Sequence, residues 1–140
     1  MLLEIRNLRR AFGAVVVADD ITLSVDEGEA LGIIGPNGAG KSSLFNLISG
    51  RHAPDGGSIH LDGKGITKMP ARKRVRGGIG RSFQIPQPFD AMTTFENVSV
   101  AACFGAGGSE KEEQNHVIDV LHRTGLLPKA IMPAGALSLL

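Results

Sequence analysis

Apolar and polar residues alternate along the first 25 residues of the chain. The apolar positions of this alternation are Leu3, Ile5, Leu8, Ile21, Leu23 and Val25, with a further β-like run at 15–17. A period of two is typical of strands that bury one face. Charged residues and the Phe12-Gly13 pair interrupt the pattern as an edge strand or a turn does. The sequence therefore predicts a strand-rich, antiparallel N-terminal region.

A different pattern follows the turn expected at 26–29. The run 30–34 is short and mostly apolar, which is typical of a buried strand in a covered parallel sheet. Beyond it, apolar residues recur at helical spacing, and Gly50 is placed as a left-handed cap. The sequence therefore predicts a buried strand over 30–34 and a helix over 42–49.

The segment between this strand and this helix matches a phosphate-binding pattern, G-x-x-x-x-G-K-[ST]. It reads Gly35-Pro36-Asn37-Gly38-Ala39-Gly40-Lys41-Ser42. Glycines let backbone N–H groups surround phosphate oxygens, and the helix adds the positive end of its dipole. Lys41 is placed to reach the β- and γ-phosphates, and the Ser42 hydroxyl to ligate Mg²⁺. The alternative is a glycine-rich turn with a solvated lysine, but chance rarely satisfies all the fixed positions.

Short strands, turns and one basic helix are expected after the phosphate-binding pattern. A turn, a strand at 58–61 and another turn follow one another. The basic cluster over 71–76 is interpreted as a solvated helix, with a specific anion site as the alternative. Residues 79–83 alternate as a strand that delivers Gln84 at its end.

Sheet-rich sequence gives way to helices near residue 90. Two prolines before this point forbid regular pairing, and Thr93 or Thr94 can cap a helix beyond it. A flexible break is expected over 105–108. An amphipathic helix is predicted over 110–124, with a glycine as its stop.

Composition narrows the class of protein. The chain has 140 residues and a formal net charge of +1, from 15 Lys and Arg against 14 Asp and Glu, so nothing favours a nucleic-acid-binding surface. It lacks a membrane-spanning apolar run of about 18 residues and the pattern of a signal peptide. The one cysteine, Cys103, excludes an internal disulfide, suits a reducing compartment and is expected in the core. We therefore expect a cytosolic chain that reaches a membrane only through a partner.

Four motifs in order resemble those of ABC-transporter ATPase subunits. The phosphate loop has their usual form, G-P-N-G-[AS]-G-K-[ST]. Phe12 lies where these proteins keep an aromatic residue that stacks on adenine, and Val17 matches an apolar residue that touches the base. Residues 55–63 match their P-x-x-G-x-[IV]-x-[FL]-x-G hairpin, and Arg81-Ser82-Phe83-Gln84 resembles their Q-loop. Within the family, residues 78–84 look most like those of branched-chain amino acid importers.

The resemblance implies an α/β fold, namely a P-loop NTPase core of the ABC type with an antiparallel β-subdomain and a helical subdomain. It implies ATP and Mg²⁺ as cofactors. The ATP-binding residues would be Phe12, Val17, Gly35, Pro36, Asn37, Gly38, Ala39, Gly40, Lys41, Ser42 and Ser43. Lys41 and Gln84 would take part in catalysis, and Ser42 and Gln84 would ligate the metal. Without the resemblance, Gln84 is a polar residue that ends a strand.

The same resemblance assigns residues 1–140 to the N-terminal part of a single ABC ATPase domain, truncated before the Walker B strand. The β-subdomain would begin over about 1–30, the phosphate-loop core with its hairpin would occupy 31–89, and the helical subdomain 90–140. Leu137-Ser138 starts where the signature L-S-G-G-Q would lie, but two leucines replace its glycines. The signature is therefore degenerate, or the match is off by a few residues. We expect this chain to bind ATP but not to hydrolyse it.

The complete protein would be the ATP-binding subunit of an importer, with branched-chain amino acids as the transported substrate. Its partners would be a second ATPase subunit, transmembrane permease subunits and, indirectly, an extracytoplasmic substrate-binding protein, with no nucleic acid. It would lie on the cytoplasmic face of the membrane through the permease. Two alternatives are a soluble ABC ATPase that acts on ribosomes or DNA ends, and a P-loop kinase that uses Lys41 to phosphorylate a small molecule.

Overall fold

The computed structural model describes residues 1–138, which form two compact units. The first unit is Met1–Gly80, and the second begins at Arg81. Among residues 1–138, no helix is both long enough and apolar enough to cross a membrane.

The first unit contains a four-stranded antiparallel sheet and two helices. The strands are β1 Leu3–Phe12, β2 Val15–Val25, β3 Gly56–Leu61 and β4 Lys64–Gly65, in the order β2-β1-β3-β4. The helices are α1 Lys41–Ile48 and α2 Ala71–Arg76. The predicted antiparallel strands, the strand at 58–61 and the helix after the phosphate-binding pattern are confirmed.

One apolar core holds the first unit together. Its buried side chains are Ile5, Leu8, Ala18, Leu44, Leu47, Ile59 and Ile66. They come from three strands, from α1 and from the segment that follows β4. Because alternate residues of a strand share a face, the alternation along the sequence places one apolar face of the sheet against α1.

Two predicted strands are wrong. Residues 30–34 form no ladder with any part of 1–138, and Ile34 is 98% exposed. A strand needs the backbone groups of a partner as well as suitable side chains, and a sequence pattern reports the side chains alone. Residues 79–83 are not a strand either. The Ile79 N–H donates to the Arg74 carbonyl at 3.0 Å, which continues the turn at the end of α2.

Arg74 corrects the interpretation of α2 as a fully solvated helix. Its side chain is 2% exposed, although the other basic residues of α2 are exposed. The guanidinium donates, over 2.8–2.9 Å, to the carbonyl oxygens of Leu47, Ile48, Thr67 and Met69. Burial lowers the pKa of Arg74, but a guanidinium remains charged in proteins. A positive charge therefore lies at the negative, C-terminal end of α1.

The second unit is helical. It contains α3 Thr94–Ala106 and α4 Glu110–Arg123, which pack on each other, and two short 3-10 helices, Leu127–Lys129 and Ala134–Ala136. The predicted cap at Thr93 is confirmed. The break expected over 105–108 starts later, because α3 continues to its left-handed cap at Gly107. Cys103 is half-buried rather than in the core.

Each of these two helices begins with a capping box. The Glu96 carboxylate accepts from the Thr93 N–H at 2.7 Å, while the Thr93 hydroxyl accepts from the Glu96 N–H at 3.2 Å. Ser109 and Glu112 form the same arrangement at the start of α4. Hydrogen bonds from backbone N–H groups favour the ionised form, so they lower the pKa of Glu96 and of Glu112.

We predict that Arg74→Met lowers the free energy of unfolding by about 3 kcal/mol or more, because four carbonyl oxygens lose their donor in a buried position. Urea unfolding followed by circular dichroism measures this loss. The matched control is Arg76→Met, at an exposed arginine of the same helix, for which we expect a change within about 0.5 kcal/mol. Equal losses in both variants would contradict the structural role of Arg74.

The capping boxes predict how the stability of the second unit depends on pH. A carboxylate whose pKa is lower in the folded state stabilises the fold above its unfolded pKa, and this stabilisation is lost as the pH falls through the folded pKa. We therefore expect helicity to become more sensitive to urea as the pH falls below about 4.5.

We expect Glu112→Gln to reduce the dependence of the urea unfolding midpoint on pH between about pH 3 and 7. Circular dichroism at 222 nm measures this midpoint. The control is Glu110→Gln in the same helical turn, because Glu112 and not Glu110 is the carboxylate of the capping box. An unchanged acid dependence in the Glu112 variant would refute the prediction.

Candidate nucleotide-binding site

The phosphate-binding segment forms an exposed loop that turns directly into α1. Gly38 and Gly40 take left-handed conformations, with φ of 83° and 82°, which favour glycine. The Ala39 N–H donates to the Pro36 carbonyl at 3.3 Å, and α1 begins at the following lysine. Gly40 is the N-cap and supplies no side chain to the first turn. The first N–H groups of α1 are therefore free of a side-chain cap and carry the positive end of the helix dipole.

Gly40 lies directly against β2. A Cβ atom added to Gly40 would collide with the carbonyl oxygen of Val17. Val17 is half-buried. The structure thus places Val17 beside Gly40. Both residues are among the predicted nucleotide-binding positions.

The Lys41 side chain folds back and binds the backbone of the loop that precedes it. Its Nζ donates to the carbonyl oxygens of Gly35 at 2.6 Å and Pro36 at 2.7 Å. A positive charge and the start of a helix therefore meet at one place, and both attract an anion. The remaining predicted residues of the loop are placed as follows: Pro36, Asn37, Ala39 and Ser42 are exposed, and Ser43 is half-buried.

The residues present fit a magnesium ion bound together with phosphate. Mg²⁺ in phosphate sites is usually held by one or two protein oxygens, with phosphate oxygens and waters completing its shell. The Ser42 hydroxyl is exposed in the first turn of α1, where it can serve as such a ligand. Within residues 1–138, no cluster of three or more His, Cys, Asp or Glu side chains could hold a metal ion by itself.

Phe12 lies at the end of β1 and is surrounded by residues that the sequence did not suggest. The guanidinium carbon of Arg10 lies over the Phe12 ring, 4.5 Å from its centroid. The rings of His52 and Phe12 form a T-shaped contact, with centroids 5.3 Å apart and an interplanar angle of 74°. Asp55 in turn binds Arg10. The hairpin motif named Asp55, but nothing in the sequence linked it to Phe12.

Gln84 belongs to the second unit and is exposed. It does not follow a strand, because residues 79–83 form none. Arg81, three residues earlier, lies over the Phe83 ring at 4.6 Å from its centroid. The leucines at 139 and 140, where the signature glycines were expected, lie outside the described residues.

Comparison with known proteins defines the class. Residues 18–138 match the model of a protein family described as ABC transporter. The fold is similar to the ADP conformation of MJ1267, an ATP-binding cassette of an ABC transporter, with a TM-score of 0.85 and 32% identity over 99% of this chain and 59% of that one. The fold is that of an ATP-binding cassette.

Two curated relatives give the same result. The chain is 41% identical over 100 residues to the high-affinity branched-chain amino acid transport ATP-binding protein BraF of Pseudomonas aeruginosa, which covers 71% of this chain and 39% of BraF. It is 38% identical over 131 residues to the methionine import ATP-binding protein MetN of Brucella abortus, covering 92% of this chain and 35% of MetN. The chain spans well under half of these relatives. It belongs to the ABC transporter family, as the motifs had indicated.

The contact of Gly40 with β2 yields a prediction with an internal control. An alanine at Gly38 or at Gly40 must adopt a positive φ, which costs about 1–2 kcal/mol. Only at Gly40 does the new Cβ also meet the Val17 carbonyl, whereas the space around Gly38 is open. We expect Gly40→Ala to lose at least about 1 kcal/mol more in free energy of unfolding than Gly38→Ala. Chemical unfolding of the two variants side by side measures the difference, and equal losses would show that β2 does not constrain the loop.

Proposed function

We propose that this chain is the N-terminal part of the ATP-binding subunit of an ABC importer, with residues 1–140 belonging to a single ABC ATPase domain. The observation that carries the proposal is the phosphate loop itself. Its lysine ammonium, its glycine-containing backbone and the uncapped start of α1 lie together in an exposed position. This arrangement attracts the phosphates of a nucleotide.

The proposed roles follow from the chemistry of each group. Lys41 exchanges the two loop carbonyls for the β- and γ-phosphates of ATP. The Ser42 hydroxyl ligates Mg²⁺, and Ser43 with the loop glycines offers further donors to phosphate oxygens. Phe12 stacks on adenine and Val17 contacts the base. Gln84 helps to coordinate Mg²⁺ and responds to the γ-phosphate.

In the complete protein, binding and hydrolysis of ATP would drive transport. Hydrolysis needs a group that orients the attacking water in line with the γ-phosphate, and no residue of this chain is assigned that role. We therefore propose that the chain binds ATP without hydrolysing it.

We propose branched-chain amino acids as the transported substrate, because the 41% identical relative BraF carries that description. Relatives described as methionine and as spermidine/putrescine import proteins are 38% and 36% identical, so the preference over these substrates is narrow. The proposed partners are a second ATPase subunit, permease subunits and, through them, an extracytoplasmic binding protein. The proposed location is the cytoplasmic face of the membrane, where the permease holds the subunit.

The first test is binding of a fluorescent ATP analogue, followed by anisotropy, together with a phosphate-release assay on the same sample. The chain has no Trp or Tyr, so intrinsic fluorescence does not obscure the label. We expect Lys41→Ala to raise the dissociation constant by about ten-fold or more, because a charge-assisted hydrogen bond to phosphate is lost. Lys64→Ala, at an exposed lysine of β4, is the matched control and should leave binding unchanged.

Each result of this test has a defined meaning. Binding that depends on Lys41 without release of phosphate supports both proposals. Release that depends on Lys41 would contradict the proposed lack of hydrolysis. Equal binding by the wild-type chain and by Lys41→Ala would contradict a nucleotide site at the phosphate loop.

A further inference from the structure

The Phe12 ring has two dissimilar faces. The Arg10 guanidinium covers one of them, with its carbon 4.5 Å from the ring centroid. This contact follows from the strand, because residues two apart on β1 point to the same side. The His52 ring meets the Phe12 ring in a T-shaped contact, with an interplanar angle of 74°. Phe12 nevertheless remains 41% exposed, so part of the ring stays accessible for stacking.

Asp55 fixes this arrangement through both of its carboxylate oxygens. Oδ1 accepts from Nη1 of Arg10 at 2.6 Å, and Oδ2 accepts from the Ala11 N–H at 2.8 Å. The Asp55 N–H also donates to the Arg9 carbonyl at 2.8 Å. One side chain therefore holds both the cation on the ring and the backbone immediately before Phe12.

The ionised state of Asp55 is maintained by the same contacts. The hydrogen bond from the Ala11 backbone, and after it the hydrogen bond from Arg10, lower the pKa of this carboxyl group. Asp55 is therefore ionised at neutral pH, and hydrogen bonds to an ionised acceptor are stronger than neutral ones.

We propose that Asp55 is a positioning residue for the nucleotide base: by holding Arg10 against Phe12 and fixing the preceding backbone, it orders the ring that stacks on adenine. The inference rests on the proposed function, in which Phe12 stacks on the base. A ring that is already ordered loses less side-chain freedom when the ligand binds, so more of the stacking energy appears as affinity. Asp55 and Arg10 would thus act on the base and not on the phosphates.

The test compares ATP with inorganic tripolyphosphate, which has the phosphates but no base. Isothermal titration calorimetry gives both dissociation constants, and their ratio isolates the contribution of the nucleoside. We expect Asp55→Asn to reduce the preference for ATP by about three-fold or more. The dissociation constant for tripolyphosphate should remain within about two-fold of wild type, because the phosphate loop is untouched. Arg10→Met should have the same effect, since it removes the cation and keeps the hydrogen bond that the Ala11 N–H donates to Asp55.

The matched control is Asp20→Asn. Asp20 is another exposed aspartate, on β2, and it accepts hydrogen bonds from Asn7 at 3.2 Å and from Arg9 at 3.0 Å. These partners differ from the Arg10 and Ala11 groups that Asp55 binds. We expect the preference for ATP to stay at the wild-type value in this variant.

Several results would overturn the proposal. An unchanged preference for ATP in Asp55→Asn would refute it, and so would an equal reduction in Asp20→Asn. Parallel weakening of ATP and tripolyphosphate would show a general structural role instead. A wild-type chain that binds neither ligand, or a Phe12→Leu variant with unchanged affinity for ATP, would contradict the proposed function itself.

Discussion

The guanidinium of Arg74 is the contact on which the first unit depends most. It binds two carbonyl oxygens at the end of α1 and two in the segment before α2, without a carboxylate partner within residues 1–138. Peptide carbonyls at the end of a helix lack donors, and a buried position gives them no water. At the other end of α1, Gly40 lies against the Val17 carbonyl. The phosphate loop is therefore held by the sheet on one side and by a helix that is fixed at its far end.

Features that depend on near neighbours in the chain were predictable. The capping residue Thr93 lies three positions before its partner Glu96, and the turn glycines act through their own backbone angles. The phosphate loop is equally local, because eight consecutive residues define both its backbone and its charge. The β1–β2 and β3–β4 hairpins likewise follow from alternation and short turns.

Features that depend on distant partners were not predictable. Residues 30–34 have the composition of a buried strand, but no described segment pairs with them. Arg74 looks like its exposed neighbours in the sequence, but two of the four carbonyl oxygens that it binds in its buried position lie in α1, 26 and 27 residues earlier. The surroundings of Phe12 join β1 to Asp55, which is 44 residues from Ala11. For Arg74 and Asp55 the deciding partners lie tens of residues away in the sequence, and periodicity carries no information about such distant pairs.

The pairing of β1 with β3 determines when the phosphate loop can form. Leu3 lies opposite Leu61, so the loop and α1 lie inside a long stretch of chain whose ends must meet. Bringing these ends together lowers the chain entropy before the β1–β3 contacts can stabilise the fold. Folding is slower for this reason. The helices α3 and α4, by contrast, are adjacent in the chain and contact each other. The later-synthesised second unit is therefore expected to fold faster, and the nucleotide site to be among the last parts of the chain to assemble.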